Sequence, residues 1–252
     1  MLGDVKSASL WGNQVAGAGA FSSIGMRPFP PCTLFPLAQP IPLLPHPSPW
    51  CHKGSAGGRF LTVGGNDQYF GAASYAAKGV LSAGCDMSSI YTPSDGAALP
   101  LRCSPLISGE VMVFSPGTLT LKENKGLILG LDGVCVGCGI GRSSKEQSAM
   151  SSACDFIVEA LAEAEKSVGV LLDADALWVG EGGEKPPAVE AFGNSEAHTV
   201  VATPNVVEFD RLLRAYLPSE AAAGVKALDM SVQERGSKGV AVSSRLQCCS
   251  LQ

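Results

Sequence analysis

Four short segments along the chain each close an apolar run with Gly, Asp, Asn or Pro and lead towards a helical pattern. They are VGGNDQYFGA at residues 63–72, VGCGIGRS at 136–143, LLDADALW at 171–178 and VATPNVVEF at 201–209. This alternation predicts an α/β protein with a central, mostly parallel sheet and helices on both faces. Ligands of such sheets bind just outside the carboxyl ends of the strands, so the four segments predict one binding crevice.

Net charge and composition argue against two classes of partner. The 252 residues carry a net charge of −5 and no dense Lys/Arg block, which argues against nucleic acid or an anionic membrane surface. No apolar stretch approaches the roughly 20 residues that a membrane-spanning helix needs, so we expect a soluble protein. Hydrophobic residues make up 46% of the chain and aromatic residues 6%, which favours α/β packing over an aromatic-rich β-sandwich.

Three regions of the chain differ in composition. Residues 1–50 are rich in proline and poor in acidic residues, residues 51–235 carry the α/β pattern, and residues 236–252 form a divergent tail. The N-terminal extension is typical either of an organellar transit peptide or of a disordered extension with a misassigned start, and both interpretations are open. We expect a mitochondrial, plastid or cytoplasmic location, and no secretion.

The clearest local prediction is a helix that begins after Ser143. Ser143 and Glu146 have the spacing of a capping box, in which each side chain accepts a hydrogen bond from the backbone of the other residue. Apolar residues then recur at helical spacing, at Met150, Cys154, Ile157 and Leu161. Gly169 is expected to end this helix. Residues 180–197 are predicted to be a surface insert, and residues 205–216 a further helix.

The GCGIGR segment at residues 137–142 has the composition of a phosphate-binding loop. Glycine lets the backbone approach a ligand, the following helix start offers N–H groups, and Arg142 adds a guanidinium fork suited to phosphate. A tight turn between strand and helix explains the same glycines without a ligand, and the two interpretations have about equal weight. The Gly64–Gly65 pair is open to the same two interpretations.

Asp173 and Asp175 flank Ala174 at the end of a predicted strand. Neighbouring carboxylates at such a place can hold Mg²⁺ beside nucleotide phosphates, whereas turn formation and helix capping are the alternative. Asn205 and Glu208 likewise have the spacing of a helix cap, which alone would explain both residues.

Nine cysteines are scattered along the chain, and Cys135 and Cys138 form a C-x-x-C pair. A zinc site needs a second pair or suitably spaced histidines, and neither is nearby. A redox pair is the alternative, but the segment has the pattern of a buried strand, so we expect reduced, unreactive thiols. The three histidines form no local cluster with Cys or Asp.

Taken together, five segments resemble, in family order, the ATP- or ADP-dependent NAD(P)H-hydrate dehydratases. These segments are HKGSAGGR, VGGNDQYFGAASYAAKGVLSAGCD, VGCGIGR, LLDADALW and TPNVVEFDRL, and the resemblance covers residues 41–213. The family consists of metabolite-repair enzymes of the ribokinase-like superfamily. The resemblance implies that fold and a hydro-lyase reaction. In this reaction ATP phosphorylates the hydroxyl of the hydrated nicotinamide ring, and loss of phosphate restores NADH or NADPH.

The resemblance also implies roles for particular residues. Asp173 and Asp175 would lie near Mg²⁺ and the phosphates of ATP or ADP. The pocket for the NAD(P)H hydrate would be lined by Gly139, Gly141, Asn205, Val206, Val207, Glu208, Phe209, Asp210 and Arg211.

The chain departs from the family pattern after residue 230. Family members continue with a V-V-x-K-G segment at the nucleotide and a G-x-G-D motif that holds the phosphates and supplies the base. VQERGSKGVAV is a distorted form of the first, which assigns Lys238 to ATP, and the second does not occur in the 252 residues. We therefore expect a ribokinase-like domain that is incomplete at its C-terminus and, by itself, nearly inactive.

Two other functions are open. One is a vitamin-precursor kinase of the ribokinase group, which would stop at the phosphorylated product. The other is a non-catalytic nucleotide-binding remnant. The oligomeric state is also open, with a homo-oligomer among the options.

Overall fold

The computed structural model describes residues 57–107, 109–117, 121–180, 182–193, 197–218 and 249–250. All of these belong to one compact unit of the chain, Pro47–Gln252. The extension predicted for residues 1–50, Lys238 and most of the tail predicted for residues 236–252 lie outside the described residues.

The described residues form a fully parallel sheet of seven strands. Their order across the sheet is β3-β2-β1-β4-β5-β6-β7, and every neighbouring pair is parallel. The strands are β1 (Arg59–Val63), β2 (Met87–Tyr91), β3 (Val111–Phe114), β4 (Gly133–Val136), β5 (Gly169–Leu172), β6 (Thr199–Ala202) and β7 (Cys249–Ser250). The predicted parallel sheet is confirmed, and β7 adds a short strand from the segment 236–252.

Helices connect the strands in the alternating manner that the sequence predicts. They are α1 (Phe70–Ser82), α2 (Asp95–Arg102), α3 (Lys125–Leu129), α4 (Ser144–Glu163), α5 (Pro187–Gly193) and α6 (Val206–Tyr216). A short 3₁₀ turn, Ala174–Leu177, follows β5. No helix among the described residues is both long enough and apolar enough to cross a membrane.

Both faces of the sheet are covered by helices. The smaller hydrophobic cluster contains Ile90 of β2 together with residues of α1 and α2. The larger cluster contains the next residue, Tyr91, together with residues of α3, α4, α5 and α6. Because neighbouring residues of a strand point to opposite faces, the two clusters lie on opposite sides of the sheet. The predicted arrangement of helices is therefore confirmed.

Helix α4 begins as predicted but ends earlier than predicted. Ser143 and Glu146 form the capping box, and the four apolar residues predicted to face the core are fully buried. The helix ends at Glu163 and not near Gly169, which is the first residue of β5. The left-handed residue after the helix is Glu165, with φ of 52°, so the usual glycine signal is missing from the sequence at this point.

The surface insert predicted for residues 180–197 is wrong in its second half. Pro187–Gly193 is a helix, α5, and Ala188, Val189 and Phe192 on it are buried in the larger cluster. Pro187 begins this helix, and proline is well tolerated in the first turn of a helix because its missing N–H is not needed there.

Candidate functional site

The carboxyl ends of β4, β5 and β6 lie side by side, and three of the four segments for which the sequence predicts a crevice follow them. The loop 137–143 follows β4, the segment 173–178 follows β5, and the segment 203–205 follows β6 and leads into α6. The fourth predicted segment, 63–72, follows β1, which is the neighbour of β4 on its other side. The four segments therefore lie at the same edge of the sheet.

The two glycines proposed for the substrate pocket have left-handed backbones. Gly139 has φ of 69° and Gly141 has φ of 100°. A Cβ atom at Gly139 would lie 2.3 Å from the carbonyl oxygen of Tyr69, and one at Gly141 would lie 2.2 Å from Oε2 of Glu146. At Gly139 both the backbone conformation and the nearby backbone oxygen require glycine, whereas at Gly141 the left-handed backbone does and the nearby atom is the end of a side chain. The fold of the loop alone therefore explains the glycines, whether or not a ligand binds.

Asp175 holds the loop in place from the end of β5. Its Oδ2 atom accepts a hydrogen bond from the backbone N–H of Gly141 at 2.9 Å, and its Oδ1 atom accepts one from Nε of Arg142 at 3.1 Å. The side chain is only 13% exposed. Each oxygen keeps a second lone pair, but Mg²⁺ at Asp175 would have to bind beside the positive charge of Arg142, which makes Asp175 a poor magnesium ligand while this ion pair exists.

Asp173 contacts the segment that follows the neighbouring strand, β6. Its Oδ1 atom accepts a hydrogen bond from the hydroxyl of Thr203 at 2.9 Å. The described residues contain no group of three or more His, Cys, Asp or Glu side chains that could hold a metal ion. A Mg²⁺ ion here would therefore depend on ligands such as phosphate oxygens and water in addition to the protein.

Two polar side chains that sequence reasoning missed also fix the loop. Nδ2 of Asn66 donates to the carbonyl oxygen of Ile140 at 3.1 Å and to Oε1 of Glu146 at 3.0 Å. Nε2 of Gln147 donates to the carbonyl oxygen of Gly141 at 2.7 Å. The position of Asn66 after the glycine pair was a usable signal, whereas nothing in the sequence marks Gln147.

Asn205 and Glu208 form the helix cap that their spacing predicts. Oδ1 of Asn205 accepts hydrogen bonds from the N–H groups of Val207 and Glu208, each at 3.0 Å. Oε2 of Glu208 accepts one from the N–H of Asn205 at 2.9 Å, and Glu208 is buried. These atoms stabilise the start of α6, so a contact of either side chain with substrate would need its remaining polar atom.

The other residues of the proposed pocket on α6 have different environments. Val207 is 51% exposed, and Phe209 packs against the larger cluster. Asp210 forms an ion pair with Arg214, four residues further along the helix. Val206 begins the helix, and Arg211 extends to the ring of Trp178.

Trp178 brings two arginines together at the crevice. Cζ of Arg142 lies 4.5 Å from the centroid of the Trp178 ring, and Cζ of Arg211 lies 4.6 Å from it. Both distances are within the range of cation–π interaction. The structure thus joins the GCGIGR loop, the DADALW segment and α6, three segments that the sequence placed at one crevice.

A cavity of about 570 Å³ lies at the same edge of the sheet, beyond the GCGIGR loop. It is lined by residues that follow β1, β2 and β3 and by the first turn of α4, among them Gly65, Asn66, Asp67, Asp95 and Glu146. Asp173, Asp175 and the residues of α6 do not line it. The cavity therefore lies on one side of the GCGIGR loop, and the predicted crevice lies on the other side.

The C-x-x-C pair lies under the loop as free thiols. The Sγ atoms of Cys135 and Cys138 are 3.7 Å apart, and both residues are buried. The hydrogen bond with Cys138, together with burial, raises the pKa of Cys135 well above its ordinary value. The same hydrogen bond lowers the pKa of Cys138, so the two thiols differ and their lack of reactivity stays a prediction.

Comparison with solved structures defines the fold class. The chain is similar to a ribokinase-like superfamily protein from Enterococcus faecalis, with a TM-score of 0.53, 16% identity, and 81% of this chain and 60% of that chain covered. It is equally similar to an ADP/ATP-dependent NAD(P)H-hydrate dehydratase from Bacillus subtilis crystallised with ATP and Mg²⁺. There the TM-score is 0.53, with 21% identity and coverage of 82% and 61%. The chain therefore has a ribokinase-like fold.

Sequence comparisons define the family. The family model described as NAD(P)H-hydrate dehydratase matches residues 60–248. A bifunctional NAD(P)H-hydrate repair enzyme of Methanothermobacter thermautotrophicus is 33% identical over 172 residues, which cover 68% of this chain and 30% of that protein. The human ATP-dependent (S)-NAD(P)H-hydrate dehydratase is 30% identical over 177 residues, covering 69% and 46%. This chain belongs to the NAD(P)H-hydrate dehydratase family.

The match covers only part of each relative. The chain spans about half the length of the ATP-dependent (S)-NAD(P)H-hydrate dehydratases of Caenorhabditis elegans and human, at 54% and 46%. What those proteins do as a whole is therefore a proposal for this chain.

Proposed function

We propose that this protein acts in the ATP-dependent dehydration of (S)-NAD(P)H hydrate to NAD(P)H, a hydro-lyase reaction that repairs damaged nicotinamide nucleotides. The family match over residues 60–248 carries the proposal. The geometry supports it, because the GCGIGR loop, the DADALW segment and the start of α6 meet at the carboxyl ends of three adjacent strands. Ligands of parallel α/β sheets bind in that place.

Within this proposal the protein positions the substrate. The loop carrying Gly139 and Gly141 is fixed by Asp175 and Gln147, so its backbone is organised before a ligand arrives. Helix α6 would complete the pocket with the residues from Asn205 to Arg211. Of these, Arg211 has the side chain best suited to an anion, since Asn205 and Glu208 are used in the helix cap.

The cofactors are part of the same proposal. ATP, or ADP, supplies when bound the phosphoryl group that turns the ring hydroxyl into a leaving group. Asp173 is the better of the two aspartates for Mg²⁺, because Asp175 is paired with the Arg142 cation whereas Asp173 accepts a bond from the neutral hydroxyl of Thr203. Lys238, which lies outside the described residues, stays the candidate contact to the nucleotide. The catalytic base is not assigned, because no G-x-G-D motif occurs in the 252 residues.

The domain bounds, the location and the partners are also part of the proposal. Residues 51–235 form the catalytic-type domain, and both the family match to residue 248 and strand β7 extend it into the tail. We place the protein in the mitochondrion, a plastid or the cytoplasm. Its proposed partner is NAD(P)H hydrate, and we do not propose binding to nucleic acid or to a membrane. A homo-oligomer stays open.

The test separates binding from turnover. The purified chain is mixed with (S)-NADH hydrate, ATP and Mg²⁺, and absorbance at 340 nm is followed, with reactions lacking ATP as the control. Calorimetry measures binding of the hydrate and of ATP to the same sample. We expect both ligands to bind, and any recovery of absorbance to require ATP. Failure to bind the hydrate would overturn the proposal.

A substrate panel separates the dehydratase from the kinase alternative. The comparisons favour the dehydratase, since the relatives named above carry that activity in their names. A stable phosphorylated alcohol formed from thiazole or pyrimidine substrates, without any binding of the hydrate, would instead support a vitamin-precursor kinase.

A further inference from the structure

We propose that Arg142 and Arg211, both held against Trp178, form a clamp for a diphosphate group, with Trp178 as the positioning residue. The inference rests on the proposed function, because it assigns to this crevice the diphosphate of a dinucleotide or of ATP. It adds a role for Trp178, and it joins Arg142, whose side chain the sequence marks as suited to phosphate, to Arg211 in one site.

The first argument is distance. The two guanidinium carbons lie 4.5 and 4.6 Å from one ring centroid, so about 9 Å at most separates them. Charge-assisted N–H···O bonds are about 2.7–2.9 Å long, so one anion with several oxygens can accept donors from both side chains. A diphosphate presents such oxygens on two phosphorus atoms, whereas a single phosphate offers a shorter span.

The second argument is charge. Arg142 is paired with Asp175 through its Nε atom, a contact that does not use its two terminal amino groups. Arg211 has no carboxylate within 4.0 Å among the described residues. Asp173, the other nearby carboxylate, accepts a hydrogen bond from Thr203. Two cations beside one ring with a single direct carboxylate partner favour binding of an anion.

The third argument concerns the helix starts beside the clamp. Helix N-termini often bind phosphate, but α4 and α6 both begin with capping boxes. Glu146 and Glu208 supply negative charge at those positions and accept backbone N–H groups. The capping carboxylates therefore make these helix starts less favourable for a phosphate than the two arginines.

The ring of Trp178 provides an attractive surface that holds the two positively charged side chains near each other. The negative face of an indole ring attracts a guanidinium group and gives its flat surface a support. Arg142 is half exposed and Arg211 lies on a different element, so without the ring each long side chain would sample many rotamers. The ring thus reduces the entropy that is lost when the anion binds.

The test measures binding of inorganic pyrophosphate and inorganic phosphate by calorimetry at fixed salt. The variants are Arg142→Ala, Arg211→Ala, Trp178→Ala and Trp178→Phe, with Arg102→Ala on α2 as the matched control. We expect each arginine variant to weaken pyrophosphate binding roughly tenfold or more, as for loss of a charged hydrogen-bond partner. Trp178→Ala should lower the preference for pyrophosphate over phosphate, and Trp178→Phe should restore most of it. Circular dichroism identifies any variant that fails to fold. Because Arg142 is half exposed, Arg142→Ala is expected to leave the core intact.

A second arm identifies the source of the diphosphate. NADH and ATP are titrated separately into the same variants. Weaker binding of NADH alone assigns the clamp to the dinucleotide, and weaker binding of ATP alone assigns it to the nucleotide. Pyrophosphate binding that is equal in the two arginine variants and the control overturns the clamp. Because this measurement needs no turnover, the clamp and the dehydratase activity can fail independently of each other.

Discussion

Gly139 shows how closely the GCGIGR loop is packed against the rest of the molecule. Its φ of 69° and the 2.3 Å between an ideal Cβ position and the carbonyl oxygen of Tyr69 leave no room for a methyl group without moving backbone. We expect Gly139→Ala to lower the free energy of unfolding by about 1–3 kcal/mol or more, measured by urea denaturation.

Gly79→Ala is the matched control for that substitution. Gly79 lies within α1, is exposed, and has nothing within 4 Å of its ideal Cβ position. Alanine there should stabilise the helix by about 0.5–1 kcal/mol. If both substitutions changed stability alike, the close approach at Gly139 would not be what requires glycine.

Several polar residues that suggested chemistry also have structural roles. Asp175 holds the loop through two N–H groups, and Asn205 and Glu208 cap α6. The sequence supports both interpretations for each, because capping and ligand binding use the same residue types at the same strand ends. The pairing of Trp178 with two arginines was not predictable, since it depends on three segments far apart in sequence.

Helix α5 is the element whose role differs most from the sequence prediction. Phe192 on it is fully buried and contributes to the larger hydrophobic cluster. We expect Phe192→Ala to cost about 3–5 kcal/mol of stability in urea denaturation, because the removed ring leaves a cavity. If this segment were a surface insert, Phe192→Ala would change the free energy of unfolding only slightly.

Tyr75→Ala is the control for Phe192→Ala. Tyr75 lies on α1 with 72% of its surface exposed, so its truncation should change stability by no more than about 0.5 kcal/mol. An equally small effect at Phe192 would contradict the packing of α5.

The starts of α4 and α6 were predictable, whereas the end of α4 and the start of α5 were not. Ser143 and Glu146, like Asn205 and Glu208, signal a helix start through residues only three apart. The end of α4 lacks a glycine, and the start of α5 carries prolines that also suit a loop. Local signals therefore fixed the elements only where capping chemistry was unambiguous.

The stability of the whole molecule should depend on pH through His198. This residue is 7% exposed, lies beside the ring of Phe192, and its Nδ1 atom has no hydrogen-bond partner in the described part of the chain. Burial lowers the pKa of His198 in the folded state, so the neutral form is favoured there. The unfolded chain takes up the proton near pH 6.5, the ordinary value for histidine.

The sign of the effect follows from proton linkage. Below about pH 6.5 the unfolded state binds a proton that the folded state excludes, so the free energy of unfolding falls as pH falls. The loss is at most about 1.4 kcal/mol per pH unit. Urea denaturation at pH 7.5 and 5.5 should show a smaller pH dependence for His198→Gln than for the native chain. An unchanged pH dependence would exclude His198 as a source.

The overall fold was more predictable than the site within it. Alternating apolar runs and helical patterns predicted a parallel sheet covered on both faces, and the strand ends predicted that the four motif segments lie at one edge of it. The cavity beside Asn66 and the contacts of Gln147 and Trp178 depend on packing between distant segments, which no local pattern encodes.

The strand order has a consequence for how this chain folds as the ribosome makes it. Strand β1 pairs with β2, which follows closely, but its other neighbour is β4, which begins about 70 residues after β1 ends. At synthesis rates of 5–20 residues per second, that edge of β1 waits roughly 4–14 seconds for its partner. During this interval the nascent sheet exposes an apolar strand edge, the kind of surface that molecular chaperones protect.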